Sequence, residues 1–273
     1  MENGIKKTIR YTIVLLGCVI TLLPFVWMVL SSLKTSGELF RFPPTIFPKK
    51  VMWRNYLEVG KRIPIMRYFL NSILVSTGIT VGTLITTVLA AFAFSRVKFW
   101  GRDLIFTLFI ATMIVPGEAT LIPNYLMITR LGWMNTYKAL ILPWTASVFS
   151  IFLMRQYFLS IPESLYRAAK IDGCSDLRYI CCVMVPLAKP ALITVAMLRI
   201  INSWNEFLWP LIMTNDEMMR TLPVALSAFT SEAGNQYQLL MAAATIIILP
   251  VIIAYLFLQK YIISGIAKSG VKG

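Results

Sequence analysis

Four polar residues, Arg199, Asn202, Ser203 and Glu206, recur at spacings of three to four within an apolar stretch. In an α-helix such spacings place the side chains on one face. A guanidinium, an amide, a hydroxyl and a carboxylate can together hydrogen-bond a polar solute or the polar groups of another helix. We predict either that the four side chains line a polar path or that they bridge to a partner, with Glu206 near the boundary of the apolar stretch reaching water.

Two tryptophans, Trp204 and Trp209, accompany these polar residues. Tryptophan side chains are enriched where a membrane meets water. We therefore expect the pair to form part of an interfacial aromatic belt rather than a surface on which a sugar ring stacks.

A second polar segment, running from Ser160 to Gly173, has the signals of a short separate helix. Ser160 and Glu163 have the spacing of a capping box, and Pro162 is tolerated in a first turn. Gly173 suits the left-handed residue that closes a helix. The predicted helix has about 11 residues and a length of about 17 Å.

The faces of this predicted helix differ in chemistry. Helical spacing places four residues on one side, namely Leu165, Ala168, Ala169 and Asp172. Glu163 and Arg167 lie on the other side, at the spacing of an ion pair. Small residues on a capped helix are typical of a close docking surface, but a helix lying on a membrane is equally compatible with this pattern.

The sequence indicates neither a catalytic centre nor a nucleotide site. It contains no histidine, so no histidine-based triad or general base can form. A GxxxxGK[ST] phosphate-binding loop is absent from it. Its four cysteines form no CxxC pair, which argues against a zinc or redox motif. We expect no catalytic residue, no metal ion and no cofactor.

The composition indicates a lipid-embedded, all-α protein. Hydrophobic residues make up 58% of the chain and charged residues only 14%, against about a quarter charged in a soluble domain. The formal net charge is +14, but the basic residues lie between apolar blocks. This distribution is typical of the loops of a membrane protein and argues against a nucleic-acid partner.

Long apolar blocks divide the chain into predicted spans. We expect a single transmembrane domain over residues 1–273 with about six helices, because only helices and closed barrels satisfy the backbone in lipid. The helices are predicted at about 11–30, 68–94, 104–122, 139–154, 183–213 and 239–258, with a cytoplasmic loop at about 155–182. Gly78 and Gly82 form a GxxxG pair that predicts close approach of another helix, and Pro116 interrupts the third block.

The distribution of Lys and Arg favours a multi-pass protein with both termini in the cytoplasm. Cytoplasmic loops carry an excess of these residues, and most short segments of the chain follow that rule in this orientation. The first outer loop opposes it, because the stretch from Lys34 to Arg67 is rich in basic residues.

The polar segment also carries a family resemblance. The stretch from Glu163 to Cys174, continuing to Val185-Pro186 and Pro190, resembles the EAA loop of binding-protein-dependent ABC importer permeases. Further stretches resemble the carbohydrate-importer branch, in particular its second maltose-type permease: Asn55-Tyr56, Asn71-Ser72, Pro123-Asn124-Tyr125, Gly132-Trp-Met-Asn-Thr136, Trp204-Asn-Glu-Phe-Leu-Trp-Pro210 and the tail from Gln259 to Gly265. The resemblance covers nearly the whole chain.

This resemblance implies a type I ABC importer permease fold in the cell (plasma or inner) membrane. The implied partners are a second homologous permease, two ATPase subunits and an extracytoplasmic solute-binding protein, all working in the lipid bilayer. ATP hydrolysis would take place on the separate ATPase subunits, so the chain itself would not be an enzyme. The resemblance assigns six residues to ATPase coupling: Glu163, Arg167, Ala168, Ala169, Asp172 and Gly173.

The family branch implies an oligosaccharide or other carbohydrate as the solute. Glycerol-3-phosphate or a related organic phosphate is the alternative. A secondary transporter driven by an ion gradient is a third interpretation, but it would predict internal repeats and ionisable residues in several spans, whereas the sequence has one such cluster and no repeat. A membrane-bound enzyme would need the catalytic residues that the sequence lacks.

The chain departs from the family pattern at two positions. Arg167 stands where the family usually has Glu, and Cys174 stands where it usually has Ala. Since Arg167 reverses a charge on the docking helix, we expect either a compensating acid in the ATPase groove or local neutralisation of Arg167 by Glu163.

Overall fold

The structure is a computed structural model that describes residues 2–229 and 236–270. These residues form helices and connecting segments and no β-strand. The α-helices are α1 (Glu2–Ser32), α2 (Ser36–Leu39), α3 (Arg54–Arg62), α4 (Ile65–Arg96), α5 (Arg102–Ala111), α6 (Leu121–Arg130), α7 (Tyr137–Ile141), α8 (Val148–Ser160), α9 (Glu163–Ile171), α10 (Asp176–Tyr179), α11 (Val185–Leu187), α12 (Lys189–Asn205), α13 (Leu208–Met213) and α14 (Tyr237–Gly270). Short 3₁₀ turns and one π-helical turn, Ile180–Met184, join them.

Two of these helices, α1 and α4, are each long and apolar enough to cross a membrane. Three pairs of shorter helices could each form one further, broken span, and they bend by 97°, 42° and 83°. Up to five spans follow by length and composition among the described residues. Helix α14 also begins with an apolar stretch, Tyr237–Ile253, so the predicted count of about six stays a prediction.

Prolines explain where the predicted apolar blocks break. Helix α5 and the turn after it end before Pro116, which has an extended ψ of 139° and precedes the 97° bend. The block predicted at 183–213 is not one helix, because the chain bends by 83° between α11 and α12. Pro190 lies in the first turn of α12, where a residue without an N–H cannot continue the preceding helix.

The same block breaks again at Glu206, whose ψ is 119°. Pro210 is four residues further on and has no N–H to donate to the carbonyl of Glu206. The chain therefore leaves the helix and starts again as α13.

The described chain divides into two compact units, one formed by Met1–Ile65 with Pro223–Pro250 and the other by Met66–Leu222 with Val251–Gly273. In the first unit, hydrogen bonds fix the segment that follows α1. Asn55 donates from Nδ2 to the carbonyls of Ser32 and Lys34, at 2.7 and 2.9 Å. The buried Lys34 ammonium donates to the carbonyl of Thr45 and lies 4.5 Å from the centre of the Trp27 ring.

In the second unit, two glycines let α4 approach the chain around α7 and α8. A methyl group built on Gly78 would lie 2.9 Å from Cδ1 of Ile141, and one built on Gly82 would lie 2.5 Å from Cγ2 of Thr145. Thr86 adds a hydrogen bond of 2.6 Å to the carbonyl of Thr145. The close approach predicted from the GxxxG pair is confirmed.

Two arginines, one on α4 and one on α8, each donate hydrogen bonds to backbone carbonyls at the end of the other helix. Arg96, the last residue of α4, donates from Nη2 to the carbonyls of Phe158 and Ile161, at 2.7 and 2.5 Å. Arg155 of α8 donates from Nε to the carbonyl of Phe94 at 3.0 Å. Carbonyls in the last turn of a helix have no partner within that helix, so each helix satisfies those of the other and the two ends are held together.

Candidate functional site

The predicted polar residues of α12 line one cavity. The cavity has a volume of about 110 Å³, and Arg199, Asn202, Ser203 and Glu206 all contribute to its wall. The remaining wall is mostly apolar and comes from α4, from the region of α7 and from α13: Val75, Ile79, Leu140, Trp144, Trp209 and Pro210. Helical spacing therefore identified four residues that the structure brings together.

Arg199 is held by a residue far away in the chain. Its Nη2 donates to the carbonyl of Trp144 at 2.5 Å. Its Nε is buried and has no acceptor among the described residues, and the same holds for Nε1 of Trp144. A charged side chain at membrane depth usually faces a cavity or a partner, and the structure shows that Arg199 lines a cavity.

The other polar groups of the wall are held to different degrees. The Ser203 hydroxyl donates to the carbonyl of Arg199 at 2.7 Å, so only its lone pairs are available in the cavity. Glu206 accepts a hydrogen bond from the backbone N–H of Trp209 at 3.1 Å, which fixes the break between α12 and α13. Asn202 is exposed and makes no hydrogen bond with the described residues, so its amide is open to a solute.

Both tryptophans that the sequence assigned to an aromatic belt are buried, so that expectation is wrong. Trp209 is 2% exposed, donates from Nε1 to the carbonyl of Ala139 at 3.0 Å, and meets Trp144 edge-to-face with ring centroids 5.6 Å apart. Trp204 is 8% exposed and packs against Phe69. Sequence reasoning missed Trp144 altogether, because nothing in its neighbourhood marks it as a cavity residue.

Helix α9 is the helix predicted after Ser160, but its start differs from the prediction. It has nine residues, from Glu163 to Ile171, and Pro162 precedes it without a side-chain cap. Ser160 ends α8 instead, and its hydroxyl donates to the carbonyl of Tyr157 at 2.7 Å. The predicted capping box is therefore wrong, because the extended backbone at Ile161 and Pro162 separates α9 from Ser160.

The end of α9 follows the prediction. Gly173 has a φ of +73°, the left-handed conformation expected of a closing glycine. Its N–H donates to the carbonyl of Lys170 at 3.1 Å, and the N–H of Cys174 donates to the carbonyl of Ala169 at 2.8 Å. These two bonds form a Schellman motif, so the end of α9 is fixed by local hydrogen bonds.

The two alanines of α9 have different surroundings. Ala169 and Tyr166 pack partly against an apolar cluster that includes Phe92 and Tyr179, whereas Ala168 is exposed. The grouping of Ala168 with Ala169 on one outward face is therefore wrong. Leu165, Ala168, Asp172 and Gly173 remain exposed and available to a partner.

Charged contacts complete α9. The Nη2 of Arg167 lies 3.2 Å from Oε1 of Glu163, which confirms the predicted ion pair. At the other end, Asp176 accepts hydrogen bonds from Tyr166 at 2.8 Å and from Lys170 at 2.7 Å. The bond to Asp176 raises the pKa of Lys170, while burial, followed by the same carboxylate, raises the pKa of Tyr166. Both side chains therefore keep their protons at neutral pH and tie α9 to α10.

A comparison with protein families decides what these helices belong to. The family described as "Binding-protein-dependent transport system inner membrane component" matches residues 78–268. The chain belongs to this family. It is therefore a membrane-embedded permease subunit of an ABC importer, and ATP is hydrolysed by a separate ATPase subunit.

Several permeases of this family resemble the chain over nearly its whole length. The arabinooligosaccharides transport system permease protein AraQ of Bacillus subtilis (strain 168) is 38% identical, covering 92% of this chain and 91% of the relative. The sulfoquinovosyl glycerol transport system permease protein SmoH of Agrobacterium fabrum is 33% identical, with coverage of 98% and 94%. The sn-glycerol-3-phosphate transport system permease protein UgpE of Brucella suis biovar 1 is 30% identical, with coverage of 98% for both chains.

A solved structure supports the fold of the permease. A chain in the crystal structure of a bacterial ABC transporter involved in the import of the acidic polysaccharide alginate superposes with a TM-score of 0.82. The two chains are 25% identical, and the match covers 96% of this chain and 98% of that one. The predicted all-α permease fold is confirmed.

Proposed function

We propose that this permease carries an oligosaccharide or another carbohydrate. The relatives AraQ and SmoH are named for arabinooligosaccharides and sulfoquinovosyl glycerol, and the structural relative takes part in alginate import. These three solutes share many hydroxyl groups. A hydroxyl both donates and accepts hydrogen bonds, so a site for such solutes needs both kinds of partner.

The observation that carries the proposal is the cavity beside α12. The Asn202 amide supplies donors and an acceptor, Glu206 supplies a carboxylate, and Arg199 supplies a cation on the same wall. Trp144 and Trp209 supply apolar ring surface next to them. Polar groups set in a mostly apolar wall are typical of small-molecule sites. We therefore place the translocation path along Arg199, Asn202, Ser203 and Glu206.

A second candidate solute is glycerol-3-phosphate or a related organic phosphate. It is favoured by the resemblance to UgpE over 98% of the chain and by Arg199, whose guanidinium suits a phosphate. An ion-gradient mechanism is not retained, because the chain belongs to a family of binding-protein-dependent permeases.

The proposed assembly contains a second homologous permease, two ATPase subunits and an extracytoplasmic solute-binding protein in the lipid bilayer. A second solved structure of the same fold is described as an alginate transporter in complex with a pentasaccharide-bound periplasmic protein. We further propose a single transmembrane domain with six spans, each bent helix pair and α14 crossing once. The distribution of Lys and Arg supports cytoplasmic termini and a cytoplasmic α9.

Coupling to ATP hydrolysis is proposed to run through α9. In this proposal the exposed residues Ala168, Asp172 and Gly173 meet the ATPase subunit, with Glu163 and Arg167 at the edge of the contact. Ala169 does not meet the ATPase in this proposal; it packs α9 against the apolar cluster of its own chain. Closure of the two ATPases would then move α9 and, through that cluster, α8 and α4.

Uptake by cells that depend on this chain tests the proposed solute. The panel contains labelled arabinooligosaccharides, alginate oligosaccharides and glycerol-3-phosphate. We expect uptake of at least one oligosaccharide, and we expect Asn202→Ala to slow it about fivefold, the effect of losing one hydrogen bond. Asn205→Ala is the matched control, because Asn205 is an exposed asparagine of α12 that does not line the cavity.

Other outcomes would change the proposal. Uptake of glycerol-3-phosphate alone would establish the second candidate. An equal fall in uptake for Asn202→Ala and Asn205→Ala would mean that the cavity does not belong to the translocation path. Mild detergent extraction followed by mass spectrometry tests the assembly, and recovery without a second permease and an ATPase, from a preparation that preserves other complexes, would contradict it.

A further inference from the structure

A second cavity lies at the corner where the end of α4 faces the junction of α8 and α9. Its volume is about 420 Å³. Three cationic side chains line it, from Arg96, Lys98 and Arg102, together with the hydroxyl-bearing Ser95 and Ser160. The proposed transport cycle does not account for this group of residues.

The charge of this cavity is not balanced by its acidic neighbours. Glu163 is the single carboxylate of the wall, and it already pairs with Arg167 at 3.2 Å. Lys98 is exposed and makes no ion pair with any described residue. Arg102 forms an ion pair with Asp103 at 3.2 Å, but the same carboxylate also forms an ion pair with Arg155 at 3.6 Å. The wall therefore keeps a net positive charge.

Arg96 holds its charge in a fixed place. Its Nη2 is bound to the carbonyls of Phe158 and Ile161, which are neutral groups and cancel none of its charge. A guanidinium that is already ordered loses little conformational entropy when an anion joins it. The cavity therefore has a pre-positioned cation beside the exposed ammonium of Lys98.

The residues next to the cavity are of types that favour a position near the membrane surface. It follows the last turn of α4, which is long and apolar enough to cross the bilayer. Trp100 is 95% exposed and stands between Lys98 and Arg102 in the sequence, as is typical of residues at headgroup level. A further recess of about 390 Å³ shares Lys98 and Arg102, so the basic surface extends around the corner.

We propose that this corner binds a phosphate group, either of an anionic phospholipid or of a soluble phosphate. A phosphate accepts hydrogen bonds from guanidinium and ammonium groups, and basic pockets between membrane helices bind anionic headgroups. The exposed Trp100 favours the lipid as the source. Because the wall includes the end of α4 and the start of α9, a bound phosphate joins the two elements and stabilises the corner.

The test uses the full chain, with any subunits that copurify, in three kinds of nanodisc. One contains phosphatidylcholine alone, one contains phosphatidylcholine with phosphatidylglycerol, and one contains phosphatidylcholine with added inorganic phosphate. Native mass spectrometry counts the retained lipids, and a thermal scan gives the Tm. We expect phosphatidylglycerol to be retained and to raise the Tm. If inorganic phosphate raises the Tm equally, the soluble source is supported instead.

Substitutions locate the site. Lys98→Gln and Arg102→Gln should each weaken retention of phosphatidylglycerol about fivefold, since each basic residue near a membrane contributes a comparable factor. Lys98→Arg should retain the lipid because it keeps the positive charge, and cooperative thermal transitions of the two Gln variants show that each of them still folds. Arg130→Gln is the matched control, because Arg130 is an exposed basic residue at the end of another helix, α6.

Three results would overturn the proposal. The first is a Tm that responds to neither phosphatidylglycerol nor phosphate. The second is unchanged lipid retention by the double variant of Lys98 and Arg102. The third is an equal loss of retention in Arg130→Gln, which would mean that the lipid responds only to the overall positive charge. None of these measurements requires transport, so they are independent of the proposed function.

Discussion

The wall of the α12 cavity and helix α9 both carry polar residues at helical spacing, but different parts of the chain hold them in place. In the cavity wall, Arg199 depends on the carbonyl of Trp144, and Trp209 depends on that of Ala139. In α9, the ion pair and the closing hydrogen bonds join residues within a few positions of one another. The cavity is a product of the tertiary fold, whereas α9 is largely defined by its own sequence.

This difference has a mechanical consequence. A short helix whose C-terminal end and side-chain pairs are satisfied locally keeps its shape when its surroundings change. The wall of the cavity changes shape when the elements that carry Trp144 and Trp209 move relative to α12. We therefore expect substitution of Arg199 or Trp209, which the fold holds in place, to change transport through the shape of the wall, and substitution of the exposed residues of α9 to act at a contact with a partner.

The largest effect is expected for Arg199→Met. It removes a charged hydrogen bond and the only cation that lines the cavity among the described residues. A bond to a charged group contributes about 1.5–3 kcal/mol, so uptake should fall about 10–100-fold at equal membrane levels of the chain. Initial rates of uptake measure this change.

Arg199→Lys serves as the control for charge. Arg199→Lys should restore part of the uptake rate that Arg199→Met loses, because the positive charge remains. It should not restore all of it, because an ammonium cannot present two donor groups in the plane of a guanidinium. Uptake by Arg199→Met at the wild-type rate would remove Arg199 from the path. Loss of the second permease on purification would instead favour the bridging interpretation.

Two neighbouring alanines give the next largest effect and separate the two kinds of contact. Ala168→Leu adds bulk to an exposed position and should lower ATP-coupled uptake about tenfold without lowering the Tm. Ala169→Leu adds the same bulk against the apolar cluster and should destabilise the chain by about 1–3 kcal/mol, the typical cost of overpacking.

The two measurements for these variants are the thermal scan and the ratio of uptake to ATP hydrolysis in proteoliposomes. If Ala168→Leu keeps full coupling, the exposed face of α9 does not meet the ATPase closely. If Ala169→Leu leaves the Tm unchanged, the packing of α9 against its own chain is weaker than the structure indicates.

The contrast also explains what could be predicted from the sequence. The ion pair of α9 and its closing Gly173 were predictable because each depends on residues at most a few positions apart. The start of α9 was not, since Pro162 and the extended Ile161 override the capping pattern of Ser160. The cavity face of α12 was predictable from spacing, but the contribution of Trp144 depends on a contact 55 residues away in the chain.

The positions at which helices break were the second feature that the sequence predicted poorly. Apolar composition predicts that a stretch prefers lipid, but it does not locate a bend. Pro116 correctly marked one break, whereas Pro190 and Pro210 divide the predicted 183–213 block in a way that the apolar count concealed. The tryptophans were misassigned because their burial depends on tertiary contacts, those of Trp204 with Phe69 of α4 and those of Trp209 with Ala139 and Trp144.

Substitution of either of two glycines should lower the stability of the chain by a smaller amount, and the cause differs between them. Gly82→Ala places a methyl group 2.5 Å from Cγ2 of Thr145 and should cost about 1–3 kcal/mol through overpacking. Gly173→Ala meets open space but keeps a φ of +73°, so it should cost about 1–2 kcal/mol through backbone strain. Thermal unfolding in one detergent measures both losses.

Second substitutions distinguish the two causes. Gly173→Asn should lose less stability than Gly173→Ala, because asparagine tolerates the left-handed region. Thr145→Ser should relieve part of the loss in Gly82→Ala by removing the nearest carbon. If Thr145→Ser gives no relief, the close approach of α4 is not the cause of the loss.

The smallest effect on stability is expected at the surface ion pair of α9. Arg167→Glu replaces attraction to Glu163 by repulsion between two carboxylates one turn apart, a change of about 0.2–0.5 kcal/mol for each pair interaction. Both side chains are more than half exposed, at 71% and 51%, so solvent screening keeps this effect low. The Tm should therefore hardly move.

The same variant tests whether the arginine is compensated. If the ATPase groove has an acid opposite Arg167, or if Glu163 neutralises it locally, then Arg167→Glu adds an unbalanced negative charge and should lower coupled uptake. Arg167→Gln is the control that removes the charge without reversing it, and its effect should be intermediate. A rise in coupled uptake for Arg167→Glu would refute both forms of compensation, because it would mean that the groove accepts glutamate better than the arginine that this chain carries.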